Sequence, residues 1–271
     1  MTFQRKTVAD KVKFLGLGLH TAEQVTVTIH PANAGIAFRS GVNRWQATPQ
    51  NVTDTTRCTR LGEISTIEHL MSAFAGLEIT DTEVEVEGGE LPAMGGCSLG
   101  YVEGLNQVGF TDLEPVTHKP IFKRVFFQEN AVKVAVGSGT GHWKFSFDMG
   151  DRWSEVQVFE TADVVKDYVG QIAPARTFAL EDELPMIAEH GLGKGLDEES
   201  AIILVHPDAY RFPTRFPDEP ARHKMLDLMG DLYLAGIPMR ALNVVAERSG
   251  HRANVETARR LMEMSEASAE D

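Results

Sequence analysis

The chain has 271 residues, of which 42% are hydrophobic and 24% are charged, a composition that can bury a substantial core. Its net charge of −13 argues against nucleic acid as a partner, because the phosphate backbone favours a basic protein face. The two cysteines, Cys58 and Cys97, are too few for a disulfide framework and fit a reducing compartment. No run of about twenty apolar residues exists and the N-terminus lacks the apolar core of a secretory signal, so we expect a cytoplasmic protein without a transmembrane segment.

Two hydrophobic periodicities predict the elements of the first half. Alternation of apolar and polar residues predicts strands at 24–30 and 82–88. Apolar residues at helical spacing predict helices at 65–76 and 98–109, whereas 47–57 has the composition of a loop.

The polar segment 110–120 contains two prolines and separates two compositionally similar halves, which predicts a domain linker. We therefore expect an N-terminal domain at 1–114 and a C-terminal domain at 115–271. In the second half, the patterns predict strands at 121–128, 131–137, 142–148 and 155–160, followed by helices at 161–170 and 181–191. They then predict a buried strand at 201–206, a helix at 222–236, a strand at 241–248 and a last helix at 253–264. This order predicts the α+β class, with helices on one face of a mostly antiparallel sheet in each half. No repeat is visible in the sequence.

The segment RHKMLDLMGDLYLAG, at 222–236, carries a stripe of polar residues. His223, Asp227 and Asp231 recur every four residues, so on a helix they lie along one side, with the apolar residues nearly opposite. One interpretation is an amphipathic helix with a solvated polar face. However, solvated faces usually pair glutamate with lysine, whereas histidine and aspartate are good ligands for a metal such as zinc. The spacing alone leaves both interpretations open.

The segment STIEHL places Glu68 and His69 side by side near a predicted helix start. Ser65 and Glu68 have the spacing of a capping box, and a single histidine is more often a satisfied, partly buried residue than a ligand. Alternatively, His69 could join the His223 helix in one zinc site with two imidazoles, one carboxylate and an open fourth position, as in catalytic sites. Glu68 would then be placed to deprotonate a water molecule.

A third candidate is His251, which follows Ser249 and Gly250 after a predicted strand. Such a histidine is usually an exposed loop residue. If it reaches the metal, a protonated His251 could stabilise an oxyanion and protonate a leaving amine, with Asp231 holding the ring charged and oriented. Spacing does not show whether these candidates converge.

Seven segments resemble one enzyme family. IEHLMSAFAGL, RHKMLDLMGDLYLAG and SGH, in that order, closely resemble the signature segments of the UDP-3-O-acyl-N-acetylglucosamine deacetylases, the zinc enzymes of the committed step of lipid A synthesis. GLGLHT (16–21), RCT (57–59), ELPAM (90–94) and ARTF (175–178) also match in order, so the resemblance covers nearly the whole chain. It implies two α/β two-layer sandwich domains that meet at an active-site cleft. Each would carry a small insert, the second forming a hydrophobic passage for the acyl chain.

The resemblance also implies roles for the polar candidates. The metal ligands would be His69, His223 and Asp227, holding Zn²⁺ or, as the alternative, Fe²⁺. The catalytic residues would be the general base Glu68, the general acid His251 and its partner Asp231.

The remaining implied residues would contact substrate. Thr177 would hydrogen-bond the reacting carbonyl or its oxyanion, and Phe178 would lie beside the substrate at the mouth of the passage. Lys224 would face the nucleotide sugar, the alternative being a solvated lysine. His20 would lie near the site without an assigned role. Cys58 would line the site or, alternatively, be a small buried apolar residue.

Several positions depart from the family pattern. The chain reads Met-Gly-Gly-Cys at 94–97 where the family usually has Met-Asp-Gly-Ser, Ala22 where it has glycine, and Arg57 where it tends to be apolar. None of these changes removes a catalytic residue, but they bear on the acyl-chain length and on the sugar.

We therefore expect a monomeric, metal-dependent amidohydrolase that removes the N-acetyl group from UDP-3-O-acyl-N-acetylglucosamine. One alternative is the same chemistry on a different N-acetylated nucleotide sugar or glycolipid. Another is a non-catalytic homologue that binds nucleotide sugar or lipid.

Overall fold

A computed structural model of the chain describes residues 2–117 and 124–270. In the first half, strands β1 to β11 span Thr2–Phe3, Lys6–Val8, Val12–Leu17, Gln24–Pro31, Ile36–Ser40, Asn43–Gln46, Val52–Asp54, Arg60–Leu61, Thr82–Glu87, Phe110–Asp112 and Val116–Thr117. Helices α1 and α2 span Glu68–Leu77 and Leu99–Val108. The main sheet has the order β3-β4-β9-β5-β6, and only the central β9/β5 pair is parallel.

The second half contains strands β12 to β19, at Val125–Glu129, Val132–Ser138, Trp143–Phe147, Gln157–Thr161, Thr177–Leu180, Ala201–Val205, Ala209–Tyr210 and Leu242–Glu247. Helices α3 to α6 span Val164–Asp167, Leu184–Glu189, Glu219–Tyr233 and His251–Glu270. The main sheet has the order β12-β13-β19-β14-β15, again with one parallel pair, β14/β19, at its centre. Strands β16, β17 and β18 form a separate small sheet.

The two main sheets repeat one topology that the sequence does not reveal. In each half, the first four strands of the main sheet come before a central helix, α1 or α5. The fifth strand of that sheet follows this helix in sequence and lies between the second and third strands, and another helix comes after it. Helix α1 in the first half thus corresponds to α5 in the second. A repeat of this kind needs only matching alternation of apolar and polar residues, because many different side chains satisfy a half-buried strand.

The α+β class with mostly antiparallel sheets is confirmed. The expected linker differs in part, since β10 and β11 lie within it and pair with β2 and β1. The end of the expected linker, at 118–120, and the beginning of the strand predicted at 121–128 lie outside the described residues. The division at 114/115 stays a prediction.

Helices α1 and α5 pack against each other at the centre of the molecule. A Cβ atom at Gly230 would lie 2.1 Å from the carbonyl oxygen of Glu68, so this close approach requires glycine. Every residue of α5 except Arg222 and Lys224 is buried. The solvated-face interpretation of the polar stripe is therefore wrong, because α1 covers the face where a surface helix would meet water.

Among the described residues, no helix combines the length and apolar character that a bilayer crossing requires.

Candidate metal centre and active site

Three buried side chains from two helices converge at one point. His69 is the second residue of α1, while His223 and Asp227 lie one turn apart on α5. The Nε2 atoms of His69 and His223 are 3.7 and 3.4 Å from Oδ1 of Asp227. One ligand atom from each of the three side chains lies within 4.8 Å of the others. The structure therefore brings together the three residues expected to bind a metal.

The two imidazoles are held in the neutral form. Burial, with a smaller contribution from the neighbouring His223, lowers the pKa of His69 to about 3. Burial also lowers the pKa of His223, whose Nδ1–H donates to the carbonyl oxygen of Ala175 at 3.1 Å. Because a carbonyl can only accept, Nε2 of His223 keeps its lone pair toward Asp227. Neutral imidazoles with free lone pairs are the form that binds metals.

Asp227 has one satisfied and one unsatisfied oxygen. Its Oδ2 accepts a hydrogen bond from Lys224 Nζ at 2.9 Å, whereas Oδ1 is buried and has no hydrogen-bond partner within residues 2–117 and 124–270. Burial opposes ionisation, but the interaction with the adjacent His223 and with the positive charge of Lys224 keeps the pKa of Asp227 well below its ordinary value. A buried carboxylate oxygen facing the lone pair of the His223 imidazole is costly unless a cation lies between them. The donor set therefore fits a divalent ion such as zinc or ferrous iron, with a coordination position left for substrate or water.

A carboxylate and an imidazole face each other beside these ligands. Glu68 Oε1 is 4.0 Å from His251 Nε2, which is also 4.0 Å from Asp227 Oδ2. Burial, together with the negative charges of Asp231 and Asp227, raises the pKa of Glu68 to about 8. Burial alone would lower the pKa of His251, but the carboxylates of Asp231 and Asp227 raise it to about 9. The pair thus offers one group that can take a proton and one that can give a proton.

Asp231 lies behind His251 and is fully buried. Its Oδ2 accepts hydrogen bonds from His251 Nδ1 and Asn254 Nδ2, each at 3.0 Å, and its Oδ1 accepts one from Thr59 Oγ1 at 2.6 Å. The bond to Nδ1 turns the Nε2 edge of the ring toward Glu68 and the metal ligands. Asp231 is therefore placed to act on the site through His251 rather than by direct contact.

Two interpretations left open by the sequence are wrong. The capping box is not formed, because α1 begins at Glu68 itself and Glu68 Oε2 accepts a hydrogen bond from the backbone N–H of Thr59 at 2.9 Å. His251 is not an exposed loop residue either. It is the first residue of α6, two residues earlier than the predicted helix start, and its side chain is only 10% exposed.

A cavity of about 580 Å³ includes the metal ligands, Glu68 and His251 in its lining. Most of its other walls are apolar. Helix α4 contributes Leu184 and Ile187, and the segments that follow it contribute Leu192, Leu196, Ile203 and Phe212. A reactive polar centre thus opens into a space shaped for an apolar chain.

Three of the residues expected to contact substrate line this cavity beside the metal ligands. Thr177 and Phe178 begin β16, and the Phe178 ring meets the His223 ring edge-on with 6.0 Å between centroids. Lys224 Nζ lies 5.5 Å from the centre of the Phe178 ring. With its side chain 21% exposed and bonded to Asp227, Lys224 is not a freely solvated lysine.

His20 also lines the cavity, and its hydrogen bonding determines its tautomer. Its Nδ1 accepts a hydrogen bond from the backbone N–H of Gly193 at 3.3 Å, while burial lowers its pKa. The ring is therefore neutral with its proton on Nε2. That Nε2 is buried and has no hydrogen-bond partner among the described residues, so it presents a donor beside the cavity.

Cys58 is buried and is not among the residues that line the cavity. Burial and the charge of Glu68 raise the pKa of its thiol to about 12, so it remains protonated. This placement favours the small apolar alternative over contact with substrate.

Residues that support the site were missed by the sequence analysis. Thr59 lies in the matching RCT segment, but no role was assigned to it there. Asn254 lies one turn after His251, a spacing that could have indicated a shared partner. Glu90, in ELPAM, is buried and accepts hydrogen bonds from the backbone of His20 and from Thr21 and Thr66, which holds the His20 loop in place.

None of the departures from the family pattern falls on a residue of the metal-binding set. Ala22, which replaces a glycine, has a φ of 57°, the left-handed region that favours glycine. Arg57 lines the cavity and pairs with Glu183 at 3.2 Å, which joins the first half of the chain to the segment before α4.

Comparisons with known proteins agree with the motifs. The family profile for UDP-3-O-acyl N-acetylglycosamine deacetylase (LpxC) matches residues 5–263. A UDP-3-O-acyl-N-acetylglucosamine deacetylase from Geobacter sp. strain M21 is 34% identical over 271 residues, covering 94% of this chain and 87% of the relative. The protein of the same name from Neisseria meningitidis strain FAM18 is 33% identical over 275 residues, covering 92% and 87%. A bifunctional enzyme LpxC/FabZ from Chlorobaculum tepidum is 30% identical over 302 residues, covering 96% of this chain and 64% of the relative.

The family resemblance of the signature segments is thereby confirmed across nearly the whole sequence. This chain belongs to the UDP-3-O-acyl N-acetylglycosamine deacetylase family.

Proposed function

We propose that this protein hydrolyses the N-acetyl group of UDP-3-O-acyl-N-acetylglucosamine to a free amine and acetate, a step of lipid A biosynthesis. The observation that carries the proposal is a single buried constellation. His69, His223 and Asp227 form a metal-binding set, and Glu68 and His251 face each other 4.0 Å apart beside it. A module that only bound nucleotide sugar or lipid would have no use for a buried base and acid together. Family membership supplies the substrate class.

The metal set fits Zn²⁺, with Fe²⁺ as the alternative, because two imidazoles and a carboxylate suit both ions. When bound, such an ion acts as a Lewis acid toward the amide carbonyl and the attacking water. Lys224 holds the second oxygen of Asp227 and so fixes the carboxylate orientation.

Glu68 takes the proton from the attacking water. Its Oε2 is fixed by the Thr59 N–H at 2.9 Å, which leaves Oε1 toward the cavity and His251. Because a buried carboxylate is destabilised by desolvation, it is a stronger base here than in water.

His251 acts as the acid. Asp231 stabilises its protonated form, so the ring carries a positive charge that helps hold the tetrahedral oxyanion together with the Thr177 hydroxyl. The same proton then passes from Nε2 to the departing nitrogen, which leaves as an amine when the C–N bond breaks.

The apolar lining from α4 onward accommodates the 3-O-acyl chain. Phe178 and Lys224 line the cavity beside the metal-binding set and would meet the sugar and nucleotide, and the Nε2–H of His20 is available to a carbonyl or hydroxyl of the substrate. Since all these groups come from one chain, we propose a monomer as the active unit. The two free cysteines fit a cytoplasmic location.

The test is mass spectrometry of the products from UDP-N-acetylglucosamine substrates with and without 3-O-acyl chains of graded length, each with and without a chelator. We expect one amine and one acetate per turnover, a preference for the acylated substrates, and loss of activity with chelator. Equal turnover of plain UDP-N-acetylglucosamine would favour a different N-acetylated substrate. No turnover together with no bound metal would favour a binding homologue.

A further inference from the structure

One buried residue hydrogen-bonds to both sides of the proposed proton-transfer machinery. The backbone N–H of Thr59 donates to Glu68 Oε2 at 2.9 Å, and its hydroxyl donates to Asp231 Oδ1 at 2.6 Å. The side chains of Thr59, Glu68 and Asp231 are almost completely excluded from water. Both carboxylates therefore depend on this residue for hydrogen bonds that solvent cannot replace.

The position of Thr59 is itself fixed. Its carbonyl oxygen accepts the N–H of Ile67, the residue immediately before α1, at 3.2 Å. All three polar groups of Thr59 are thus engaged. They connect the start of α1, which carries the base, with α5, which carries the partner of the acid.

We infer that Thr59 is a positioning residue that sets the geometry between Glu68 and His251. The inference rests on the proposed function for the roles of those two groups. The hydroxyl acts through Asp231: when Oδ1 is held by Thr59 and Oδ2 is shared with Asn254, the carboxylate has one orientation in which to receive the His251 Nδ1–H. A carboxylate free to rotate would hold the imidazole less firmly, and Nε2 would spend less time facing the reacting nitrogen.

The decisive variant is Thr59→Val, which removes the hydroxyl, keeps the shape and keeps the backbone N–H on Glu68. We expect kcat to fall about tenfold with KM changed less than about twofold, the pattern of an interaction needed only in the transition state. Thr59→Ser restores the hydroxyl and should restore kcat. Thr257→Val is the matched control, because Thr257 is equally buried but donates to a helix carbonyl at Ala253.

A cycle with Asp231→Asn tests the route of the effect. If Thr59 acts through Asp231, adding Thr59→Val to Asp231→Asn should lower kcat by less than about twofold, because the carboxylate has already been lost. An equal tenfold loss in both backgrounds would overturn the inference. So would a folded Thr59→Val protein with unchanged kcat. If the valine variant does not fold, Thr59→Ala removes the same hydroxyl and carries the same expectation.

A measurement independent of activity separates this inference from the proposed function. The His251 Nδ1–H resonance is assigned by its loss in His251→Gln, and it reports the bond to Asp231 directly. In Thr59→Val this resonance should shift and its proton should exchange faster with water, while Thr59→Ser and Thr257→Val leave it unchanged. If the wild-type protein proved inactive on acetamide substrates but the resonance moved, the proposed function would fail and the positioning role would stand. An unmoved resonance would overturn the positioning role.

Discussion

Lys224 Nζ lies 2.9 Å from Oδ2 of Asp227, while Oδ1 of the same carboxylate has no hydrogen-bond partner in the part of the chain that the structure describes. The two oxygens therefore have separate functions. One is fixed by a lysine of its own helix, and the other is left for a cation between His69 and His223. This division makes the metal-binding role of Asp227 directly testable.

Replacing Asp227 with asparagine should weaken metal binding by more than about tenfold, since even the loss of a supporting hydrogen bond commonly costs that much. Metal content of the purified protein and thermal unfolding with added Zn²⁺ measure the effect, because an ion that binds only the folded state raises its stability. Asp112→Asn, an exposed aspartate on β10, is the control. Retention of one tightly bound ion by Asp227→Asn would contradict the assignment.

Glu68→Gln removes the proposed base but keeps an oxygen that can accept from the Thr59 N–H. We expect kcat to fall by about 10²- to 10⁴-fold, the usual contribution of a general base. Metal content should stay the same, because Glu68 is not in the ligand set. Steady-state kinetics with metal analysis measures both, and the exposed Glu63→Gln is the control. Full activity of Glu68→Gln would eliminate this mechanism.

The reaction rate should show a bell-shaped dependence on pH. His251 must be protonated, and its pKa is raised to about 9, so activity should be lost as pH rises through that value. Glu68 must be ionised, and its pKa is raised to about 8 by burial. A bound cation would favour the carboxylate, so we expect the acidic limb below pH 8. The two groups interact, so the limbs report the pair as a whole.

The variant Asp231→Asn tests the direction in which the basic limb of this pH profile shifts. Without the charge and the hydrogen bond of Asp231, the pKa of His251 falls, because only Asp227 and Glu68 then oppose the effect of burial. The basic limb of kcat/KM should therefore move to lower pH in Asp231→Asn, so that the variant loses activity at pH values where the wild type is still active. A basic limb that stays in place in Asp231→Asn would show that another group controls it.

Charge in the apolar part of the cavity should affect long acyl chains selectively. Ile187→Lys places an ammonium group in the lining from α4, and we expect KM for a long-chain substrate to rise about tenfold, since an apolar chain then meets a solvated charge. A short-chain substrate should be little affected. Val42→Lys is the control, because Val42 is 99% exposed. Equal effects on both substrates would place the acyl chain elsewhere.

Much of the fold follows from local patterns. The predicted strands at 24–30 and 82–88 became β4 and β9, and the helices carrying His69 and His223 formed near their expected positions. Alternation and helical spacing act over a few residues, so a single sequence reveals them. The order of strands in each sheet depends on contacts distant in sequence, and the repeated topology was not predicted.

The sequence indicated which polar residues would form the candidate site, but it did not indicate their burial or their contacts with neighbouring residues. Histidine and aspartate at four-residue spacing indicated a metal, and the motifs indicated Glu68 and His251. The burial of the polar stripe depends on α1, which no pattern within α5 reveals. The contacts of Thr59 likewise join residues 9 and 172 positions apart in the chain, beyond the reach of any local rule.

Gly230 has a consequence for the metal centre itself. A helix interior disfavours glycine by about 1 kcal/mol relative to alanine, yet here a methyl group would collide with the backbone of α1 at Glu68. His69 belongs to one helix and His223 and Asp227 to the other, so the distance between the two helix axes sets how far apart the three proposed ligands lie. A residue without a side chain thus helps to fix the spacing of the proposed metal site.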